Sequence, residues 1–472
     1  MAARAYRHTI DDVGKPMAGD EDFEDDDGPN ASDLAHEVTE ALLAADTERA
    51  TALVKDLRAP DLADIIEILS PEHRIELIQA LGPAFDYEVL TEIDENVRDQ
   101  LSEALPNELL ARAVTELDTD DAAYLIENLE ESDREEILSQ VPRLERAALE
   151  RNLDYPEETA GRLMQSDFVA VAPYWTTQQV IDHARETDDL PDVFSEIFVV
   201  DPAFRVLGSV ELSRLLRTKR DVPVADIMDK DLNLVYATED QKEVARKFER
   251  YDLFSAPVVD DNDRLLGVIT VDDIVEVIQN EADEDMKALG GVGDESLADS
   301  VFATTRSRVP WLVVNLGTAV LASSVISAFG ATIEQMVALA VLMPIVASMG
   351  GNAGTQTMTV TVRALATRKL GSANAPRIIT RETLVGLLNG LILSVIMSAI
   401  VFLWFGSSKL GGVIGAAMIV NMLAAGLAGI LIPLALDRLK LDPAPASGVF
   451  VTMVTDCVGF FAFLGLATLV LV

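Results

Sequence analysis

VFVTMVTDCVGFFAF, residues 449–463, carries a single carboxylate, Asp456, midway through an apolar run from Ala446 to Val472. A lone charge at membrane depth is costly, so an acid in this position marks an ion pathway by default. Its neighbours Thr455, Cys457 and Gly459 are small. A second polar island, ASMGGNAGTQT at 347–357, interrupts another apolar run with Gly351, Asn352, Thr355 and Gln356. Such sequence is tolerated at membrane depth only against protein or a water-filled cavity. The two segments have the composition of cation-pore walls, with Asn352, Gln356 and freed backbone carbonyls offering oxygens to a hydrated ion. Close packing through small residues would explain the glycines, but it leaves the amides unexplained.

Five apolar stretches, near 309–330, 335–358, 380–406, 411–436 and 446–471, are each long enough to cross about 30 Å of hydrocarbon. Arg306 and Arg308 precede the first. Arg363, Arg368, Lys369, Arg377 and Arg381 separate the second from the third, and Arg438 and Lys440 the fourth from the fifth. The other side offers Lys409 alone. By the positive-inside rule the first 300 residues are expected in the cytoplasm and Val472 outside, and the first residues show no charged-then-apolar signal-peptide pattern.

The soluble half is acidic. Of 79 acids and 37 bases, five and ten fall within 301–472, so the first 300 residues carry a net charge of −47. Such a surface repels nucleic acid and anionic lipid and attracts cations or basic proteins. The one cysteine, Cys457, rules out an internal disulfide framework, and the four histidines are scattered.

Residues 1–35 are acidic and unpatterned (DEDFEDDDGPN from Asp20), as in a disordered tail. Over 36–154, short amphipathic helices are expected, with an internal repeat at a spacing of 60. LADIIEILSPEHRIELIQAL from Leu62 matches AAYLIENLEESDREEILSQV from Ala122, with Arg74 and Arg134 in register. This predicts a small helical superhelix. A second repeat, at 59, pairs FVVDPAFRVLGSVELSRLL from Phe198 with PVVDDNDRLLGVITVDDIVEVI from Pro257, aligning Asp201/Asp260, Arg205/Arg264 and Gly208/Gly267. Each copy reads strand, turn, strand, helix. The pair, over 155–270, is similar to tandem CBS modules. These often bind adenine nucleotides through a Ser/Thr and a following acid, which the second copy offers as Thr270 and Asp273. The first copy has Glu211 and Arg214 instead, so plain dimerisation is the role expected of the pair, with ATP at the second copy as the alternative.

From 271 to 305 a connecting helix is expected. Val275, Ile278, Ala282, Met286 and Leu289 form one apolar stripe, and Asp273, Glu276, Asn280 and Glu284 lie opposite, flanked by Glu281 and Asp285. Acids at this spacing repel unless neutralised. A divalent ion bridging this face to another domain would pull on the membrane helices beginning near 306.

In this order, the helical domain, the CBS-like pair and the pore segments resemble the MgtE magnesium channels over about 36–472. PIVASMGGNAGTQ, TDCVGF and the YPEETAGRLM junction at Tyr155 are the specific parts. The resemblance implies a homodimer in the plasma (cell inner) membrane, with one pore lined by the second and fifth spans. Asp456 would be its carboxylate, Asn352 would shape it, and Gly351, Thr355 and Gly459 would lie along it. It also implies Mg²⁺ as substrate and regulator. The regulatory acids would fall on Asp120 and Asp121, Asp252, Asp273, Glu276, Glu281, Glu284, Asp285 and Asp442, with Tyr124 where an acid is usual.

The fold class expected is therefore multidomain: an all-α superhelical domain, tandem α/β modules and a five-helix membrane domain (306–472). The function expected is Mg²⁺ uptake gated by intracellular Mg²⁺. The alternatives are an ion-coupled carrier of Mn²⁺ or Co²⁺ and a membrane-anchored nucleotide sensor. No GxxxxGK[ST], HExxH or nucleophile–base pair speaks for an enzyme.

Overall fold

The computed structural model describes residues 31–187, 190–191, 193–293, 301–371 and 373–472. Most of the expected acidic tail lies outside them. Its last residues, 31–35, belong instead to a helix, because Leu34 and Ala35 start the apolar stripe continued by Val38, Ala41 and Leu42. The described residues divide into two compact units.

The first unit is built of ten helices. They are α1 (Ala31–Leu43), α2 (Thr47–Val54), α3 (Ala59–Ile68), α4 (Pro71–Leu81), α5 (Val89–Glu92), α6 (Glu95–Ala104), α7 (Asn107–Glu116), α8 (Thr119–Ile126), α9 (Glu131–Gln140) and α10 (Arg143–Leu153). The repeat at 60 superimposes α3–α4 on α8–α9, and its arginines explain the match. Arg74 donates from Nε to Ile66 O (2.9 Å) and from Nη2 to Glu67 O (2.8 Å), and Arg134 reaches Glu127 O. Each thus satisfies carbonyls left open at the end of the preceding helix. Ile66 and Ile126, in register, are fully buried.

The second unit begins with the α/β pair. The first module has α11 (Ala160–Leu163), β1 (Ala170–Val171), α12 (Thr177–Glu186), β2 (Glu196–Val200), β3 (Val206–Glu211) and α13 (Leu212–Arg217). The second has β4 (Val235–Tyr236), α14 (Gln241–Tyr251), β5 (Ser255–Val259), β6 (Leu265–Thr270) and α15 (Val271–Leu289). Both sheets have the same design, a parallel β1–β2 or β4–β5 pair followed by an antiparallel hairpin. The repeated aspartates close the hairpins. Asp201 accepts from Ala203 N and Arg205 N, and Asp260 from Asn262 N and Arg264 N. Gly208 has no room for a side chain: a Cβ there would lie 2.4 Å from Asp229 O.

At the seam of the modules, Ser195 Oγ donates to Ser255 Oγ, which donates to Glu196 Oε2 at 3.1 Å. Burial raises the Glu196 carboxyl above its ordinary value of 4.5, against the Ser255 hydrogen bond. A raised carboxyl binds its proton more tightly folded than unfolded, so stability falls as pH climbs past 4.5 toward the folded value. Glu196→Gln should therefore melt with wild type at pH 4 and above it at pH 8, by thermal scanning in detergent. Equal midpoints at both values would refute this.

The remainder is helical: α16 (Val301–Ser327), the short α17 (Gly330–Gln335), α18 (Ala338–Ala366), α19 (Ala375–Phe405), α20 (Ser408–Arg438) and α21 (Pro443–Val470). Five of these are long and apolar enough to cross a membrane. The boundaries expected at 305/306 move. α15 ends at Leu289 and α16 starts at Val301, so the connecting helix is shorter and the first membrane helix longer than the sequence implied; 294–300 lie outside the described residues. α20 is the central helix, half buried and rich in Gly and Ala, and it packs on α18, α19 and α21. Its glycines permit this: a Cβ at Gly429 would meet Gly354 O at 2.8 Å, and one at Gly426 would meet Glu382 O at 3.0 Å.

Candidate ion pathway and regulatory face

α18 is continuous through the glycine island, so no backbone carbonyl is freed there. Intrahelical bonding satisfies the backbone, and the glycines serve packing instead. Gly350 lies against Asn421 of α20, and Gly354 against Val451 and Thr455 of α21. The side chains are another matter. Asn352, Thr355, Gln356 and Thr359, at i, i+3, i+4 and i+7, are all exposed along one face of this otherwise apolar helix. Among the described residues none of these four side chains makes a hydrogen bond, whereas Thr361 donates to its own helix at Thr357 O. Gly351, next to Asn352, opens on free space.

Asp456 is half-buried in α21, with neither a hydrogen-bond donor nor a cationic partner among the described residues. It stands 13 residues from Pro443, and Asn352 stands 14 from Ala338, so each is about 20 Å along its helix, near mid-depth. Gly459 does not belong to this face. It is buried and packed on Asn421 of α20, although only three residues separate it from Asp456. Asn421 itself is absent from the pattern that singled out Asp456, since a neutral amide in an apolar helix carries no charge signal.

The acids of α15 are distributed otherwise than expected. Ile274 and Val277 are buried, whereas Val275, Ile278 and Met286 of the expected apolar stripe are exposed. Asp273 closes the helix start, accepting from Thr270 N (3.1 Å) and Thr270 Oγ1 (2.8 Å). Burial pushes its carboxyl up to about 7. The two residues expected at a nucleotide ribose thus bond to each other.

Further along α15, Lys242 of α14 reaches Glu281 at 2.6 Å and Glu284 at 3.5 Å. Burial works against its ammonium, but the bond to Glu281 and the charges of Glu281, Glu284 and Glu158 outweigh it and hold its pKa above the usual lysine value. Burial also raises Asp285, and the charges of Glu281 and Asp442 act in the same direction against Lys242 and Arg363. Glu281, Asp285 and Asp442 therefore share one field beside the membrane helices. Ala288 and Leu289 at the end of α15 pack on Met358, Val362, Ala444 and Val451, at the ends of α18 and α21.

The other expected acids lie apart. Asp252 ends α14 in a left-handed conformation, Asp442 caps α21 through Ala444 N, and Asp120 and Asp121 sit in the first turn of α8. At Tyr124, where an acid was expected, the buried Arg98 guanidinium lies 3.3 Å over the ring. Among the described residues no three acidic, histidine or cysteine groups converge as a metal site. A cavity of about 710 Å³ lies outside the ion pathway. It is lined by Asp240, Lys242, Glu243, Arg246, Arg368 and Asp437, where α14 meets the membrane helices. Arg368 and Arg246 both bind Glu243 there, and Arg246 donates to Ala366 O.

Comparison with known proteins is consistent along the chain. Residues 343–466 match the family model described as divalent cation transporter, 57–158 that of the MgtE intracellular N domain, and 224–280 that of the CBS domain. The magnesium transporter MgtE of Thermus thermophilus is 33% identical over 93% of this chain and 98% of its own. That of Enterococcus faecalis is 34% identical over 67% and 70%. Among solved structures, the cytosolic domain of the Mg²⁺ channel MgtE in complex with ATP is 30% identical, covering 52% of this chain and 99% of that one at a TM-score of 0.48. With an acid and an amide face at mid-membrane, two α/β modules and an acidic helical domain in this order, the chain belongs to the MgtE family of divalent cation transporters.

Proposed function

We propose that the chain forms a homodimeric Mg²⁺ channel for Mg²⁺ uptake, with α18 and α21 of both copies lining one pore, the C-terminus outside and the acidic half in the cytoplasm. One observation carries this reading: among the described residues, Asp456, Asn352, Thr355, Gln356 and Thr359 have no side-chain hydrogen-bond partner at membrane depth. Left against lipid, each unsatisfied polar group would cost several kcal/mol, about 2 or more. A second copy enclosing water along this face removes that cost. The exposed Val275, Ile278 and Met286 stripe on α15 gives a dimer a second apolar contact.

The chemistry suits Mg²⁺, which sheds water reluctantly and uses one or two carboxylates rather than a closed protein cage. Two Asp456 side chains balance a hydrated ion through its outer shell. Cytoplasmic Mg²⁺ would regulate the channel at Glu281, Glu284, Asp285 and Asp442, where pairs of acids suffice for an ion that keeps most of its waters. Asp273 and Glu276 would form a second acidic pair, and Asp120, Asp121 and Asp252 further points of attachment. The similar cytosolic domain was solved with ATP, and we extend that ligand to the second module here, where Thr270 and Asp273 would exchange their mutual bonds for the ribose.

The test is Mg²⁺ entry into liposomes bearing the full chain, driven by a potassium diffusion potential, with internal Mg²⁺ and pH indicators. Entry that follows the potential without stoichiometric proton movement is expected. Proton flux locked to Mg²⁺ flux would make the protein a coupled carrier.

A further inference from the structure

Asn421, on α20, is the polar residue that the ion pathway does not use and that sits directly behind it. It is fully buried. Its Nδ2 donates to Val346 O of α18 at 2.7 Å, while its Oδ1 has no partner among the described residues. Two glycines from different helices form its seat. A Cβ at Gly350 of α18 would lie 2.2 Å from Asn421 Nδ2, and one at Gly459 of α21 would lie 2.7 Å from the same atom. A real Cβ cannot approach so closely, so the amide fits only because both positions are glycine.

This fixes the registry of the two helices. α18 and α21 run antiparallel, since Gly354, one turn beyond Gly350, meets Thr455 and Val451, one and two turns before Gly459. From the level of Asn421, Asn352 is two residues along α18 and Asp456 three residues back along α21. At 1.5 Å per residue both lie about 3–4.5 Å to the same side. One amide therefore sets the depth at which the pore amide and the pore carboxylate stand opposite each other.

We propose that Asn421 is the positioning residue of the ion pathway: wedged between Gly350 and Gly459, it holds Asn352 and Asp456 at one level and so sets the geometry that distinguishes Mg²⁺, which keeps a rigid octahedral water shell, from Ca²⁺, a larger ion with a looser, more variable shell. The inference rests on the pathway reading given above. It also assigns a reason to two motif glycines, the first of MGGN and that of TDCVGF, which face away from the ion.

The test uses the full chain in liposomes and reads the Mg²⁺ entry rate and the Mg²⁺-to-Ca²⁺ entry ratio. Asn421→Ala and Gly350→Ala should each lower Mg²⁺ entry about tenfold, the order expected of sub-ångström to 1 Å misplacement, and should lower the ratio as well. In the double variant the new methyl occupies space the amide has vacated, so entry and ratio should recover most of the way to wild type. Simple loss of folding would not produce that rescue. If Asn421→Ala fails to assemble, Asn421→Asp, which keeps the volume but loses the donor to Val346 O, replaces it and should show the lowered ratio. Wild-type entry and ratio in Asn421→Ala, or a double variant no better than Gly350→Ala, would overturn the inference. Asp456→Ala in parallel separates the levels: undiminished entry there removes the pathway reading itself, whereas lost entry there with an unaffected Asn421→Ala removes only this inference.

Discussion

Asp456→Ala is expected to reduce Mg²⁺ entry into liposomes by on the order of 100-fold or more, with the dimer intact. A hydrated divalent ion about 5 Å from a carboxylate, at an effective dielectric constant of about 20, gains roughly 7 kcal/mol of attraction. The side chain can exert most of this because no lysine, arginine or hydrogen-bond donor of the described chain neutralises it. Removing it also leaves the neutral face of Asn352, Thr355 and Gln356 to stabilise two positive charges alone. Asp456→Asn separates charge from shape: it keeps the volume and the polarity, so an equally deep loss would assign the effect to charge. Asp456→Glu, which keeps the charge on a longer arm, should retain part of the flux. Undiminished flux in both neutral variants would place the pathway elsewhere.

The elements of this fold were legible where one chain covers its own apolar face. Ile66, Leu69, Ile126 and Leu129 repeat at 60 and are buried by their own unit, so periodicity predicted the helical domain. The Asp201 and Asp260 turns were legible because the same local bonds recur. α15 shows where such reading stops. Its apolar stripe was recognised, yet Val275, Ile278 and Met286 are exposed, because a period shows that a face is apolar and not which molecule covers it. The glycine island of α18 was legible as polar but not as a continuous helix. Small residues permit both an unwound segment and close helix contact, and the choice is made by α20 and α21 across the interface.

Asn421 was not legible for a related reason. Asn315 and Asn389 also interrupt apolar helices but are exposed. A single asparagine gains its meaning only from the two glycines that three-dimensional packing brings to it. Asp456 could be recognised without such help, since a charge at that depth is anomalous in any setting.

Neutralising the end of α15 by Glu281→Gln, Glu284→Gln and Asp285→Asn together should raise the cytoplasmic Mg²⁺ concentration for half-inhibition by on the order of 100-fold, or abolish inhibition. In the proposed dimer, with −47 charges on the first 300 residues of each copy, the acidic domains would repel one another. An ion bridging acids of α15 and Asp442 favours a compact form in which the helix end, through Ala288 and Leu289, bears on α18 and α21. A ligand shifts such an equilibrium only by its differential affinity for the two forms, typically about 1–3 kcal/mol for each coupled site. Lys242 supplies a test with the opposite sign. Its ammonium already occupies Glu281 and Glu284 and competes with Mg²⁺ for them. It is partly exposed, so the pair is worth at most about 1 kcal/mol. Lys242→Gln should then lower the half-inhibiting concentration by up to about fivefold, while the triple variant raises it. Opposite shifts would show that charge on this face sets the response. A shift in the same direction for both would indicate that Lys242 and the acids act by holding the helix in place, and that the Mg²⁺ sensor lies elsewhere in the cytoplasmic half.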